Sequence, residues 1–191
     1  MGYQTVNDMQ KSGKNSLKMG NSNPIIAELK ALAELPCGAG QHAFFERRYR
    51  DAVPVECVPM DEAFTPEQME IIRKSFYFRQ KQCYKNASDL LDVEICRAFR
   101  GMELRYVEGY VYDPILIPIE HAFVKVGDKY VDPTFELALG MDVRRCYYCS
   151  LIEVSRAELS RIERDNGFYG EIYRTVYVRG LQGRKTAKAD G

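Results

Sequence analysis

The chain has 191 residues, 46% of them hydrophobic and 28% charged, which suits one globular domain with enough apolar side chains to build its own core. Lys plus Arg and Asp plus Glu are both 27, so the formal charge is zero and no overall basic field favours nucleic acid or an anionic membrane. No apolar run approaches the ~20 residues a membrane-crossing helix needs, and the first residues lack the apolar stretch of a secretion signal.

In chain order, residues 1–21 are rich in Lys, Ser, Gly and Asn and are expected to form a flexible lead. Ser22-Asn23-Pro24 reads as a helix start, with Pro at the first helical position. Ile25, Ile26, Leu29, Leu32, Ala33 and Leu35 follow at helical spacing until Pro36 and Gly38 stop them. QHAFFERRYR is compatible with a helix, and VPVECVPM reads as extended. Thr65-Pro66-Glu67-Gln68 carries a capping box that opens the next helix. Cys83, Ala87, Leu90, Leu91, Glu94 and Ala98 then share one helical face, and Gly101 closes that helix.

Beyond Gly101 the pattern turns to strands. Residues 104–113 form the first; HAFVKV-GD-KYVDPT reads as a hairpin; CSLIEVS is a further strand; Ser155 to Glu158 is a second capping box opening a helix to about Asn166. EIYRTVYVR (171–179) alternates and is rich in β-branched and aromatic residues, so it predicts a last strand. Residues 181–191 are a polar tail, its basic residues solvated, and 22–180 are expected to be one domain. Helices first and sheet afterwards point to an α+β fold.

With Gly127-Asp128 as a two-residue turn, Val126 pairs with Lys129 and Asp132 falls opposite Phe123. His121 and Asp132 are then diagonal neighbours of the same facing, roughly 7–8 Å apart at Cα. Ala122, Val124, Val126 and Val131 form the other face, and Glu120, facing away from His121, is expected to be solvated. A carboxylate beside an imidazole fixes the tautomer and stabilises the imidazolium, leaving the second ring nitrogen to act on a nucleophile. Cys83 suits that role: at a helix N-terminus, orphan amides, the dipole and a facing imidazolium all lower a thiol pKa. Its own amide and the side chain of Gln80 or Gln82 are candidate oxyanion donors.

Gln82-Cys83, Glu120-His121-Ala122-Phe123 and Val131-Asp132-Pro133-Thr134 together resemble the transglutaminase-like branch of the papain-like cysteine enzymes. The resemblance spans about residues 80–135. The chain has no Trp, a residue common near that family's Cys and His, and carries Phe123 two positions after His121. The resemblance implies a helix-plus-antiparallel-sheet core and a Cys83–His121–Asp132 catalytic triad working through a thioester without a cofactor. It further implies a protein, peptide or small amide substrate. Water as acceptor makes this a hydrolase, such as a thiol protease or amidase. Other outcomes are a protein-glutamine transglutaminase or deamidase, and a non-catalytic binding protein on the same fold.

The remaining cysteines admit other readings. Without a leader sequence a reducing, cytoplasmic setting is expected, with most of the six cysteines as free thiols filling space. Cys146 and Cys149 form a C-x-x-C that could be a redox pair, or could join Cys37 and His42 as zinc ligands. The tyrosines at 106, 110, 112, 147, 148, 169, 173 and 177 could line a cleft, with core and sheet surface the preferred reading.

Overall fold

The computed structural model describes residues 23–114, 117–167 and 169–176. Helices α1 (Pro24–Glu34), α2 (Ala39–Asp51), α3 (Met60–Ala63), α4 (Pro66–Ser75) and α5 (Cys83–Leu91) precede most of the sheet, with only β1 (Val53–Val55) among them. Strands β2 (Leu104–Tyr112), β3 (Ile119–Val126), β4 (Lys129–Val131) and β5 (Tyr147–Ser155) follow, then α6 (Arg156–Asn166). The fold is α+β, with one antiparallel five-stranded sheet in the order β1-β5-β2-β3-β4.

Local chemistry sets the starts of three of the six helices α1–α6. Asn23 caps α1 by accepting from the Ile25 amide at 3.0 Å, with Pro24 filling the first position. Thr65–Gln68 and Ser155–Glu158 both close as full capping boxes, on α4 and α6. Gly167, at φ 77°, ends α6 in the left-handed conformation. The Thr65 box is exposed and separate from the core, so Thr65→Ala should cost about 1 kcal/mol. A urea-unfolding midpoint that shifts while the m-value stays constant would show it.

Alternation along β2 divides the interior. Leu104, Tyr106 and Tyr110 point to the face covered by the helices, where Ala87, Leu90 and Leu91 of α5 meet Ala122, Val124 and Val126 of β3. Val107 and Val111 point to the opposite face, against Phe123, Phe135, Val143 and Tyr148. Leu90 and Leu91 are fully buried, each worth roughly 2 kcal/mol of apolar transfer.

The periodic stripe beginning at Cys83 does not continue to Ala98 as one helix. Regular helix ends at Leu91, and two 3-10 turns follow, Asp92–Ile95 and Arg97–Phe99. An uninterrupted helix would carry Val93 and Phe99 off the buried face. The break lets both enter the core at 2% and 1% exposure, leaving Ile95 outside. Burying a Phe is worth more than the few helical bonds given up.

The strand expected over 171–179 is absent where it is described: residues 172–176 are helical, and 177–179 lie outside the described residues. Ile172 and Tyr173 are buried, and their amides donate to the Glu108 carboxylate, the Tyr173 bond at 2.9 Å. A carboxylate on β2 therefore caps this turn, a tertiary contact that overrides local β-propensity. The lead over 1–21 and the tail over 181–191 also lie outside the described residues. No helix among the described residues is long and apolar enough to cross a membrane.

Candidate active site

The β3–β4 hairpin has the register that a Gly127-Asp128 turn dictates: Val124 pairs with Val131, Lys125 with Tyr130 and Val126 with Lys129. His121 and Asp132 lie just past the last of these pairs, and His121 Nε2 meets Asp132 Oδ2 at 2.7 Å. Both side chains are buried, at 3% and 0% exposure.

Asp132 accepts from four donors. Besides His121, the Tyr148 hydroxyl donates to Oδ2 at 3.0 Å, and the Thr134 and Phe135 amides donate to Oδ1 at 2.9 and 3.0 Å. Those amides open a π-helical turn, Thr134–Ala138, which Asp132 caps. A charge buried this deeply is tolerable only when its lone pairs are occupied in this way. The imidazole is also boxed by rings, with Phe135 edge-on at 5.1 Å and Phe123 stacked at 6.5 Å between centroids.

Cys83 arrives from the other side. β3 is paired with β2 along its length but with β4 only over Val124–Val126, so its edge near Ala122 has no neighbouring strand. The N-terminus of α5 docks there. The half-buried thiol lies within interaction range of the His121 ring and of the backbone amides of Ala122 and Tyr84. With Nε2 committed to Asp132, Nδ1 is the ring nitrogen left for sulfur.

The electrostatics follow from these contacts. Burial pushes the Cys83 thiol up, but the His121 hydrogen bond and charge and the two amides outweigh it, leaving the thiol below its ordinary value. Burial likewise pulls His121 down, while Asp132 and Cys83 together raise it to about 10. Both shifts favour a thiolate facing an imidazolium over the neutral pair. Burial dominates elsewhere: the Cys146 and Cys149 thiols are pushed up to about 12, and Cys57 is raised well above its ordinary value.

A second network aligns the two halves. Asn86, one turn after Cys83 and 1% exposed, donates to Thr134 Oγ1 at 2.9 Å and to the Arg79 carbonyl at 2.7 Å, and accepts from the Arg79 amide at 3.1 Å. It ties the thiol helix to the residue two after Asp132. Between Arg79 and Cys83, Lys81 holds φ at 61°, a left-handed conformation uncommon outside glycine, in the turn that delivers the thiol.

The two glutamines differ. Gln82 is the N-cap residue of α5 without capping it through its side chain. Gln80 is exposed and reaches the Ala138 carbonyl at 3.5 Å. Glu120 does face away from His121, but it pairs with the buried guanidinium of Arg48, so it is not simply solvated. The C-x-x-C is split across the sheet: Cys149 packs with Ile25, Leu29 and Tyr110, and Cys146 with the cluster around Phe123. His42 pairs with Glu46 along α2 at 3.5 Å. No group of three or more His, Cys, Asp or Glu positioned for a metal occurs among the described residues.

Of Tyr148, Asn86, Thr134 and Arg48, sequence reasoning named Thr134 only as the end of the Asp132-Pro133-Thr134 motif and Tyr148 only among the tyrosines, and gave none of the four a role in the triad. The first three reach it only through contacts separated by 16 to 48 residues, and spacing carries no signal for such contacts. No protein-family model, curated protein or solved structure matches the chain.

Proposed function

We propose that the protein is a thiol acyl enzyme of the papain-like, transglutaminase-like type that hydrolyses an amide or peptide bond. The observation that carries this reading is the unbroken array of Cys83, His121 and Asp132, with the thiol lowered and the imidazole raised. Cys83 sulfur attacks the carbonyl carbon, and the carbonyl π electrons move to oxygen. The Cys83 amide and the Gln82 side chain, both at the start of α5, are the proposed donors to that charge. As the tetrahedral species collapses, the imidazolium gives its proton to the departing nitrogen, the C–N bond breaks and a thioester remains. His121, now neutral, takes a proton from water as the water oxygen attacks. The C–S bond then breaks, releasing the carboxylic acid and regenerating the ion pair. Asp132 keeps the ring oriented throughout.

Hydrolysis is favoured over acyl transfer because Cys83 is only half-buried, so water has a path to the thioester. The test is peptide mapping after brief treatment with iodoacetamide at pH 6. Cys83 should be alkylated ahead of the other five cysteines. Slow, uniform labelling of several cysteines would instead favour a binding protein with an inert thiol. To separate the two acceptors, product mass from an acyl-dipeptide amide is measured with and without added methylamine. A free acid in both cases supports hydrolysis, whereas an N-methyl amide dominating with the amine supports transfer.

A further inference from the structure

Beside the triad, α2, β3 and the 172–176 segment enclose a cleft of about 510 Å³, with Gln41, Phe44, Arg48, Glu120, Glu171 and Arg174 among its walls. It shares Arg48, Glu120, Glu171 and Arg174 with a much smaller hollow lined also by Tyr84, Gly109 and His121. Its walls adjoin the reacting centre in sequence: Glu120 precedes His121 on β3, and Tyr84, in the wall of the smaller hollow, follows Cys83 on α5.

Arg48 is the unusual wall. It is 6% exposed, and its guanidinium lies over the Phe44 ring at 4.2 Å, with Tyr110 and Tyr173 within 5.8 Å. One terminal nitrogen donates to the Tyr110 hydroxyl and to Glu120, while Nε is buried with no acceptor. A buried donor left empty costs about 1–3 kcal/mol, so a ligand acceptor there recovers a term the free protein lacks. The charges constrain its type. Glu120 already neutralises Arg48, and Glu171 lies 3.4 Å from Arg174, so the cleft is balanced overall. A second carboxylate would meet Glu120, and an ammonium would meet the guanidinium. A neutral acceptor satisfies Nε without either conflict.

We infer that this cleft is the substrate subsite flanking the bond that Cys83 attacks, and that it takes an uncharged peptide segment. A backbone carbonyl of that segment accepts from the Arg48 guanidinium, which lines the cleft and whose Nε has no acceptor in the free protein, and an apolar side chain lies against Phe44. Resting on the acyl-enzyme reading, this adds to it the class of substrate and the residue that selects it.

Two reagents of different reach test it. Chloroacetamide, too small to extend into the cleft, reports the thiol alone. Acetyl-Leu-Ala chloromethyl ketone loses chloride to the same sulfur but carries a peptide. The readout is the ratio of the two second-order rates of Cys83 alkylation. In the wild type the ketone should show saturation, and its acetyl-Asp-Ala analogue should react at least fivefold more slowly. Arg48→Met should lower the ratio about tenfold. Because that change also strands Glu120 and Tyr110, Gln41→Trp provides the second variant: it blocks the cleft from an exposed position without removing a buried partner. If both variants fold by circular dichroism and keep the wild-type ratio, or if the Asp analogue is preferred, the subsite is wrong while the thiol reading stands. Should Arg48→Met unfold, Gln41→Trp decides alone. Absence of Cys83 labelling by chloroacetamide would overturn the thiol reading and this inference together.

Discussion

Replacing His121 by Ala is expected to slow alkylation of Cys83 at pH 6 markedly, by about tenfold or more, since losing the contact that lowers the thiol depletes the reactive thiolate. In the wild type the thiolate is lost as pH falls through the lowered thiol pKa, so the acid limb of a rate–pH profile lies below 9.0. Without the imidazole, burial continues to push the thiol up while its main opposing contact is gone, and the limb moves toward or beyond 9.0. The alkaline side separates the two roles of the ring. Alkylation needs only thiolate and should stay high, whereas amide turnover also needs the imidazolium proton and should fall as pH passes about 10. Asp132→Asn should retain much of the packing but lose turnover, because the amide presents one acceptor oxygen where four donors converge. A profile for His121→Ala that overlays the wild type would remove the ion pair from the mechanism.

Gly109→Ala is expected to destabilise the fold by about 4 kcal/mol or more. An added Cβ would stand 1.8 Å from the Cys149 carbonyl oxygen and 2.9 Å from its carbon. Both atoms are backbone, so no rotamer relieves the clash, and β5 must move. That strand pairs with β1 and β2 and carries Tyr148, whose hydroxyl holds Asp132. The register shift between Glu108 and Gly109 lies at this close approach. Gly109 also pairs with His121 on its other side, so the damage reaches the site. A melting temperature lower by roughly 10 °C or more is expected, together with loss of preferential Cys83 labelling. Gly101 provides a contrast: its φ is 86°, but a Cβ there meets nothing within 4 Å, so Gly101→Ala should cost only about 1 kcal/mol of backbone strain. Equal melting temperatures for Gly109→Ala and wild type would show that the strand spacing is softer than this geometry requires.

Where an interaction spans a few residues, the sequence was enough to determine it. The two capping boxes, the end of α6 at Gly167 and the hairpin register depend on dihedral preferences and hydrogen bonds within one turn or one strand pair. The meeting of His121 with Asp132 belongs to the same class, because a two-residue turn leaves only one facing for both. Tertiary structure decided the rest. That α5 places its first residue at the uncovered edge of β3 depends on how short β4 is and how the Ala87, Leu90 and Leu91 face seats on the sheet. Tyr148 beneath Asp132, Arg48 against Glu120 and the Glu108 cap that makes 172–176 helical join segments 16 to 72 residues apart. Periodicity records which side of an element is apolar; it does not record which distant polar group will be buried opposite it. The desolvation cost of leaving Asp132, Arg48 and Glu108 unpaired selected those partners, and that cost exists only once the chain has closed around them.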